Sequence, residues 1–261
     1  AGPQIYQGIL SQPSLFEAVV TVISNEIASQ LMPATTMKSL FLDLLTPQDN
    51  VAIHKDVLAA VIRSPSVKTA LTATLFQTGF HTLLCYRLGH RLWLRGRTGL
   101  AYFMQSTVSA HFSADIHPSA KIGSGIYLKC QGVVIGETAV VGEDASILQG
   151  VTLGGTGKES GDRHPKVGNG VILQSYATVL GNIPVGDGSI ITAKSIVTKP
   201  VPPLAIMTGV PARLVEYRTL EPSSFETDDL QMDLVFKYLE PWQRLKAEIV
   251  AAAEAEEQSS P

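Results

Sequence analysis

The chain is poor in cysteine, balanced in charge and free of long hydrophobic runs, and each shortage excludes a class of protein. Cys85 and Cys130 are its only cysteines, too few for a disulfide scaffold and typical of a reducing compartment. The 20 lysines and arginines are outnumbered by 23 acidic residues and form no basic tract, so nucleic acid is not an expected partner. No apolar run reaches the roughly 18 residues that a membrane span requires. We therefore expect a soluble protein without a transmembrane segment.

The amino terminus also lacks the features of a secretory signal. The chain begins with Ala1 and not with methionine, as a protein does after removal of a transit peptide. On this feature we expect a plastid or a mitochondrion as one option for its location.

What the chain does contain is an aliphatic residue at every sixth position across its middle. The series consists of Ile116, Ile122 and Leu128, then Ile135, Val141, Ile147 and Leu153, and finally Val167, Leu173, Val179, Val185, Ile191 and Val197. Each group of six supplies one short strand with an inward aliphatic side chain and one turn. Three groups make a triangular coil, and stacked coils bury a core that one coil cannot bury alone. The period predicts a left-handed parallel β-helix over residues 113–215.

Helical segments are predicted on both sides of this repeat. Residues 14–112 carry apolar residues at helical spacing, beginning with Ser14 as a cap and Glu17 three residues later. A helix is expected to start at Pro65 and to be broken by Gly79. Residues 216–261 are predicted to form a polar linker and a helical tail. The fold class is therefore α+β, with an α-helical amino-terminal domain, a β-helix and a carboxyl-terminal helical extension.

The repeat is interrupted after Leu153. The next position in the series falls on Glu159, which cannot fill an apolar core position. We therefore expect residues 154–166 to leave the coil as a loop. Their glycines and charges, together with His164, are typical of a functional loop.

Several short motifs in this region resemble the serine O-acetyltransferase family. They lie at residues 115–118, 134–140, 147–149, 151–158, 161–166, 180–183 and 209–213, with further similarity at 79–81 and 86–90. The resemblance covers about residues 14–215. It implies transfer of an acetyl group from acetyl-CoA to the hydroxyl of serine, for cysteine synthesis.

The resemblance also identifies residues that this chain has lost. In the family a histidine, oriented by an aspartate, takes the proton from serine as its hydroxyl attacks the thioester. Asp115 matches the orienting aspartate, but the histidine position holds Cys130. Lys129 and Ser64 stand at the positions of two carboxylates that would hold the serine ammonium group. The motif in residues 125–132 is also one residue shorter than in the family.

Other positions of the family pattern are kept. By resemblance, Arg163 would bind the serine carboxylate with His164 beside it, and Gly154, Gly155 and Ala193 match positions near CoA. Each has a structural alternative: the glycines could serve only the loop backbone, and Arg163 with His164 could form a salt bridge or a cap. The family's Gly-Ala-Gly turns are replaced by the bulkier residues 174–176 and 192–194.

Cys130 could itself be considered as a catalytic nucleophile, since a thiol can attack a thioester and Lys129 could activate it. Adjacent residues on a strand point to opposite faces, however, which separates the two side chains. A small buried hydrophobic residue is the favoured interpretation of Cys130.

Three functional hypotheses remain. The first is a catalytically inactive family member that serves as a structural or interaction subunit. The second is an active serine O-acetyltransferase in which His164 replaces the missing base, and the third is an acetyltransferase for an acceptor without an ammonium group. Acetyl-CoA is the expected cofactor of an active protein, and otherwise none is expected. A zinc site is not expected, because only His117 and His164 lie in the repeat.

The resemblance further implies assembly. A homotrimer around a shared axis, a dimer of such trimers, or a place in a larger protein complex are the expected states. In such trimers the active sites lie between subunits.

Overall fold

The computed structural model describes residues 12–158 and 160–218, in which six α-helices precede fifteen short strands. The predicted order of a helical block followed by a left-handed parallel β-helix is confirmed. The linker and helical tail are predicted for residues 216–261, of which Glu216 and Tyr217 belong to the last strand and residues 219–261 lie outside the described residues. None of the helices in the described ranges is long and apolar enough to cross a membrane.

Three of the six described helices begin at a residue whose side chain caps the first turn. The six are α1 (Leu15–Glu26), α2 (Ala34–Leu44), α3 (Pro47–Arg63), α4 (Ala70–Phe76), α5 (Thr78–Leu94) and α6 (Thr98–Phe112). At the start of α1, Ser14 Oγ accepts a hydrogen bond of 3.2 Å from the backbone N–H of Glu17. At the start of α3, Thr46 and Asp49 form a reciprocal capping box, which satisfies amide groups that the helix itself leaves unpaired.

Two predicted helix boundaries are wrong. Helix α4 begins at Ala70 and is capped by Thr69, not started by Pro65, and Gly79 lies in the first turn of α5 instead of breaking a helix. A Cβ atom at Gly79 would overlap the carbonyl oxygen of Leu128. Glycine is required here because the backbone of α5 contacts the backbone of the repeat region.

The strands of the repeat region form three sheets. They are β1 (Asp115–Ile116), β2 (Lys121–Ile122), β3 (Tyr127–Leu128), β4 (Val134–Ile135), β5 (Val140–Val141), β6 (Ser146–Ile147), β7 (Thr152–Gly154), β8 (Lys166–Val167), β9 (Ile172–Leu173), β10 (Thr178–Leu180), β11 (Pro184–Val185), β12 (Ile190–Ile191), β13 (Ile196–Val197), β14 (Ala205–Gly209) and β15 (Ala212–Tyr217). Sheet A has the order β1-β4-β7-β10-β13, sheet B the order β11-β8-β5-β2, and sheet C the order β15-β14-β12-β9-β6-β3. Among the described strands only β15 runs antiparallel to its neighbour, so it closes the carboxyl-terminal end of sheet C.

The aliphatic residues of the six-residue series point into the coil and stack on one another. Ile135 pairs in register with Leu153, and Leu153 pairs with Val179. Every member of the series is buried except Ile122, which is half-buried against the same core. The stacking confirms the predicted pattern, in which successive coils supply the core that no single coil can form.

The predicted loop is present between β7 and β8. Strand β7 ends at Gly154 in sheet A and β8 begins at Lys166 in sheet B, so the loop occupies the corner between these sheets. Leu153 nevertheless pairs with Val179, twenty-six residues later, whereas Ile135 pairs with Leu153 after eighteen. The loop therefore adds eight residues without changing the register of sheet A.

Buried charges hold the helical block against the corner between sheets B and C. Arg87 of α5 forms a buried ion pair with Asp56 of α3, and Asp56 accepts a 2.9 Å hydrogen bond from the backbone N–H of Ile126. Arg63 donates to the carbonyl oxygen of Gly125 over 3.1 Å. Because a buried charge without its partner is strongly destabilising, these contacts select one position of the helices on the coil.

Candidate active site

The predicted site residues lie at two corners of the coil, on either side of sheet A. The strands of this sheet run parallel, so their amino-terminal ends share one edge, here termed the leading edge, and their carboxyl-terminal ends share the other, the trailing edge. The leading edge carries Asp115, Cys130 and Ala193, and the trailing edge carries Gly154, Gly155, Arg163 and His164. One chain therefore does not bring all of the predicted site residues together.

At the leading edge, Cys130 turns its thiol away from solvent and towards α5. Its side chain is 0% exposed, and Sγ donates a hydrogen bond of 3.3 Å to Thr78 Oγ1. Asp115 is exposed and instead accepts a 2.6 Å hydrogen bond from Gln105 Nε2. The two side chains thus have different partners and do not form a base with its orienting carboxylate.

The turn that carries Cys130 contains one residue more than a regular repeat. Ile135 follows Leu128 by seven positions, instead of the regular six. The additional length brings Gln131 Nε2 to 3.5 Å from Thr78 Oγ1, so the turn contacts the start of α5 at two side chains.

The family resemblance places the ammonium group of serine near positions 64 and 129, where this chain has a serine and a lysine. Ser64 is buried at the end of α3, and its Oγ lies 3.1 Å from Ser66 Oγ. Tyr127 is buried beside it. Burial raises the pKa of the Tyr127 phenol. With Lys129 half-exposed at the same edge, neither Ser64 nor Lys129 offers the negative charge that an ammonium ligand needs.

At the trailing edge, Arg163 is held by charge and by backbone. Its Nη2 lies 2.9 Å from Glu137 Oε2, and its Nη1 donates to the carbonyl oxygen of Gly161 over 3.1 Å. The backbone N–H of Arg163 donates to Thr138 Oγ1 over 3.1 Å. A half-exposed guanidinium in a fixed position can bind a carboxylate through two parallel hydrogen bonds.

His164 is held by the same threonine. The backbone N–H of Thr138 donates to His164 Nδ1 over 3.2 Å, and Thr138 Oγ1 lies 2.9 Å from the same nitrogen. Nδ1 is therefore an acceptor, and the neutral imidazole carries its proton on Nε2. Burial, followed by the positive charge of Arg163, holds the pKa of His164 below its ordinary value. The ring rests on Gly136, where a Cβ atom would overlap it.

Lys166 fixes the end of the loop. Its ammonium group donates to the carbonyl oxygens of Thr138 and His164, over 2.8 and 2.9 Å. It also pairs with Asp162, and this hydrogen bond lowers the pKa of the Asp162 carboxyl. The loop therefore returns to the coil through a set of contacts that surround Arg163 and His164.

The two histidines of the coil are not arranged as metal ligands. His117 resembles His164 in that its Nδ1 accepts a 3.1 Å hydrogen bond from a backbone N–H, that of Ser119. No group of three or more His, Cys, Asp or Glu side chains that could hold a metal ion occurs in residues 12–158 and 160–218.

The residues predicted near CoA are divided between the two edges. Gly154 ends β7, and a Cβ atom at Gly155 would lie 3.4 Å from Arg163 Cγ. Ala193 lies at the opposite edge, where its backbone N–H donates to Gln174 Oε1 over 3.0 Å. The described chain alone therefore offers no continuous surface formed by all three.

The turns at the leading edge repeat one left-handed residue in each coil. These residues are Ser113, Gly132, Gly150, Tyr176 and Lys194, with φ values of 56°, 72°, 73°, 63° and 61°. Glycine adopts this conformation without strain, but the last two coils use Tyr176 and Lys194. The Tyr176 ring lies over Gly150 and remains 58% exposed. The bulk predicted for these turns thus lies on the surface of the leading edge.

Three residues of the site were not predicted from the sequence. Thr138 positions both Arg163 and His164, and Thr78 closes the turn at Cys130. A signal for Thr138 does exist, because it lies two residues before a strand of sheet B, as His164 does one coil later. Tyr127 carries no comparable signal, since only the packing of α3 on the coil buries it.

Sequence comparisons connect this arrangement with known proteins. The profile of the family described as serine acetyltransferase, N-terminal, matches residues 2–85. The serine acetyltransferase of Salmonella typhimurium is 47% identical over 210 residues, which cover 79% of this chain and 77% of that protein. Serine acetyltransferase 2 of Arabidopsis thaliana is 44% identical over 214 residues, covering 81% and 66% respectively.

Solved structures show the same architecture. The serine acetyltransferase of Brucella abortus strain S19 in complex with coenzyme A has a TM-score of 0.81 at 43% identity, over 82% of this chain and 87% of that one. The soybean serine acetyltransferase complexed with serine has a TM-score of 0.79 at 42% identity, over 80% and 88%. With sequence identity above 40% across both the helical block and the coil, the chain belongs to the serine acetyltransferase family.

Proposed function

We propose that the protein is a non-catalytic member of the serine acetyltransferase family and acts as a structural or interaction subunit. The observation that carries this proposal is the buried thiol of Cys130, which is hydrogen-bonded to Thr78 where the family resemblance requires a histidine base. A serine hydroxyl is a weak nucleophile until a base takes its proton. Loss of the base alone costs about 10²- to 10⁴-fold in rate.

His164 does not replace that base. Its Nδ1 is occupied by the N–H of Thr138, so the remaining nitrogen of the neutral ring is a donor and not a proton acceptor. The lowered pKa of His164 also makes the imidazole a weaker base than an ordinary histidine. Arg163 and His164 are better suited to binding than to proton transfer.

Recognition of serine is altered as well. Ser64 and Lys129 stand where carboxylates would hold the ammonium group, and Tyr127 fills the neighbouring space with a neutral phenol. The carboxylate of serine still has a partner in Arg163. The site is therefore expected to keep its contact with the carboxylate of an amino acid and to lose its contact with the ammonium group.

The second candidate is an active serine O-acetyltransferase. Relatives that are 42–47% identical carry that name, and this similarity favours activity more directly than it favours a non-catalytic role. The complete trailing edge and the intact loop support this candidate too. It requires a proton acceptor other than Cys130, His164 and Asp115 as they are placed in the chain.

Acetyl-CoA is the ligand to be expected at this site. The Brucella abortus relative was solved with coenzyme A, and Gly154, Gly155 and Ala193 are the proposed contacts here. Because these residues lie at opposite edges of sheet A, their use in one site requires two copies of the chain. We therefore propose a trimer, in which the leading edge of one copy faces the trailing edge of the next.

The proposed location is a reducing compartment, since both cysteines are free and buried. A plastid or a mitochondrion would provide such conditions. Detection of the tagged protein in cell fractions would test this assignment.

Two measurements on the purified protein distinguish the candidates. The first is isothermal titration with acetyl-CoA and with CoA up to millimolar concentration. The second is release of CoA thiol in the presence of serine. For the non-catalytic proposal we expect thiol release no faster than the hydrolysis of acetyl-CoA in buffer. Turnover at the roughly 1 s⁻¹ or more of an ordinary enzyme would refute it.

If serine binds, matched variants show whether Arg163 contributes to the binding. Arg163→Ala should weaken it, because the guanidinium is the proposed partner of the serine carboxylate. Arg95→Ala, which removes an exposed arginine at the end of α5, should leave it unchanged. Binding of acetyl-CoA without turnover on serine would direct the search to acceptors that lack an ammonium group.

A further inference from the structure

The face of sheet A lies between the leading edge, where a helix covers the turn, and the trailing edge, where polar contacts hold two candidate binding residues in place. At the leading edge Cys130 is sealed against α5, and no histidine stands in its turn. At the trailing edge Arg163 and His164 are fixed by Glu137 and Thr138. The two edges of one chain are different corners of the coil, so the trailing edge can take part in a complete site only with the leading edge of another chain.

The face between the edges is suited to contact with another coil. Its outward residues Val134, Thr152, Thr178 and Ile196 stack in register across four coils. These four residues are uncharged and β-branched, and they are partly exposed. Asp115 continues the stack in the first coil and is exposed, so the uncharged part of the face that can pack against a similar coil without burying a charge is limited to the other four coils.

We propose that this chain supplies its trailing edge, Arg163 with His164, to a catalytic chain of the same family that has a histidine at the position of Cys130. The inference rests on the proposed non-catalytic function and names its partner. In a mixed assembly the partner contributes the base and the ammonium-binding carboxylates. This chain contributes the guanidinium that holds the serine carboxylate.

The state of each edge favours a mixed assembly over one made of this chain alone. A homo-oligomer would join each prepared trailing edge to a leading edge without a base. Thr138, Glu137 and Lys166 hold the loop in place, and these contacts position groups that such a homo-oligomer would not use. In an assembly with a partner chain that carries the histidine base, Arg163 and His164 would hold a serine that can react.

Rescue of a disabled relative tests the proposal. The Brucella abortus enzyme is first inactivated by replacing with alanine the arginine and histidine that match Arg163 and His164. It is then co-expressed with this chain under a second affinity tag, and mixed assemblies are isolated through both tags and verified by native mass spectrometry. We expect serine-dependent thiol release to rise about tenfold or more above that of the disabled enzyme alone, corresponding to recovery of one substrate contact.

Two variants of this chain serve as matched controls. The double variant Arg163→Ala with His164→Ala removes the supplied groups and should give no rescue. Arg95→Ala, at the exposed arginine that ends α5, should rescue as well as the unmodified chain. Native mass spectrometry of each mixture separates loss of rescue from loss of assembly.

The outcomes divide as follows. Rescue by the unmodified chain and by Arg95→Ala, but not by the double variant, supports the inference. Mixed assemblies without rescue overturn it, as does failure to form mixed assemblies with the Brucella abortus, Salmonella typhimurium and soybean enzymes alike. Turnover by this chain alone would refute the proposed non-catalytic function, whereas failed rescue beside an inactive chain refutes only the mixed assembly.

Discussion

The two edges of sheet A are built from the same six-residue repeat, yet they differ in what fixes them. The leading edge at Cys130 is fixed by direct packing of α5, so a buried thiol and the Gly79 backbone determine its shape. The trailing edge is fixed by polar side chains, with Thr138 holding both Arg163 and His164. The comparison shows that one repeat can fix its corners in two ways. Helix packing holds the turn at Cys130, whereas polar side chains hold the loop that carries Arg163 and His164.

The largest expected effect is the protection of the Cys130 thiol, at the leading edge, from a thiol reagent. Cys85 and Cys130 are both free and buried, and burial also raises the pKa of the Cys85 thiol. We expect Ellman's reagent to modify the native protein at least about 10³-fold more slowly than the unfolded chain, because reaction requires extensive opening. Fast native labelling that disappears in Cys130→Ala, but not in Cys85→Ala, would show that the leading edge is open.

The next effect concerns the contact of α5 with the coil. Gly79→Ala places a methyl group on the Leu128 carbonyl oxygen, so the helix must move away, and we expect a loss of about 3 kcal/mol in the free energy of unfolding. Urea denaturation measures this loss. Gly99→Ala in α6 is the control, because nothing lies within 4 Å of its added Cβ, and there alanine should stabilise the helix by about 0.5–1 kcal/mol. Equal effects of the two substitutions would contradict the close packing at this edge.

A glycine-to-alanine substitution at the trailing edge should lower the free energy of unfolding less than Gly79→Ala does. Gly136→Ala displaces the His164 ring, which is a side chain and can move, so we expect a loss of about 1–2 kcal/mol. The imidazole resonances of His164 should shift in the NMR spectrum. Gly155→Ala, whose Cβ would meet Arg163 at 3.4 Å, should leave both stability and the His164 resonances close to those of the unmodified chain.

A smaller effect should appear with pH. The pKa of His164 is lowered by burial and by Arg163, so below about pH 6.5 the unfolded chain binds the proton more readily than the folded one. Stability should therefore decrease as the pH falls from about 6.5 through the folded pKa, and His164→Gln should reduce this decrease. Thermal melts between pH 7 and pH 5 measure it, with His111→Gln, at an exposed histidine of α6, as the control. A pH dependence unchanged in His164→Gln would show that its ring is not desolvated.

The smallest effect concerns backbone conformation at the leading edge. Lys194 has a φ of 61°, which glycine adopts without strain, so Lys194→Gly should stabilise the protein by about 1 kcal/mol or less. Lys199→Gly, outside the left-handed positions, should be neutral or destabilising. Chemical denaturation of the two variants is sufficient, and a loss of stability in Lys194→Gly would mean that the lysine side chain has a stabilising contact.

The coil could be predicted from the sequence because every repeat makes the same contact. An aliphatic residue such as Leu153 meets its equivalents one coil away in both directions, so one residue type at a fixed spacing is sufficient evidence. The loop was predictable for the same reason, since Glu159 breaks the series. The family could also be recognised from the motifs, whereas the assignment of Cys130 to the histidine position stays a prediction.

The rest depends on contacts between elements that no local pattern encodes. The hydrogen bond between Thr78 and Cys130 joins residues 52 positions apart, and Gly79 was expected to break a helix because its neighbour in the coil could not be foreseen. The division of the site into two edges follows from the strand order of sheet A. The sequence motifs place Asp115 and His164 in one family pattern, but only the topology shows that they lie at different corners.

The loop between β7 and β8 has a consequence for how the family can diversify. Leu153 and Val179 remain in register across the loop, so the coil does not depend on the length of the loop. Residues can therefore be gained or lost in the loop at little cost in the free energy of unfolding. At the turn of Cys130, in contrast, a change in length alters the backbone against which α5 packs. Insertions should therefore accumulate mainly at the corner between sheets A and B among descendants of this chain.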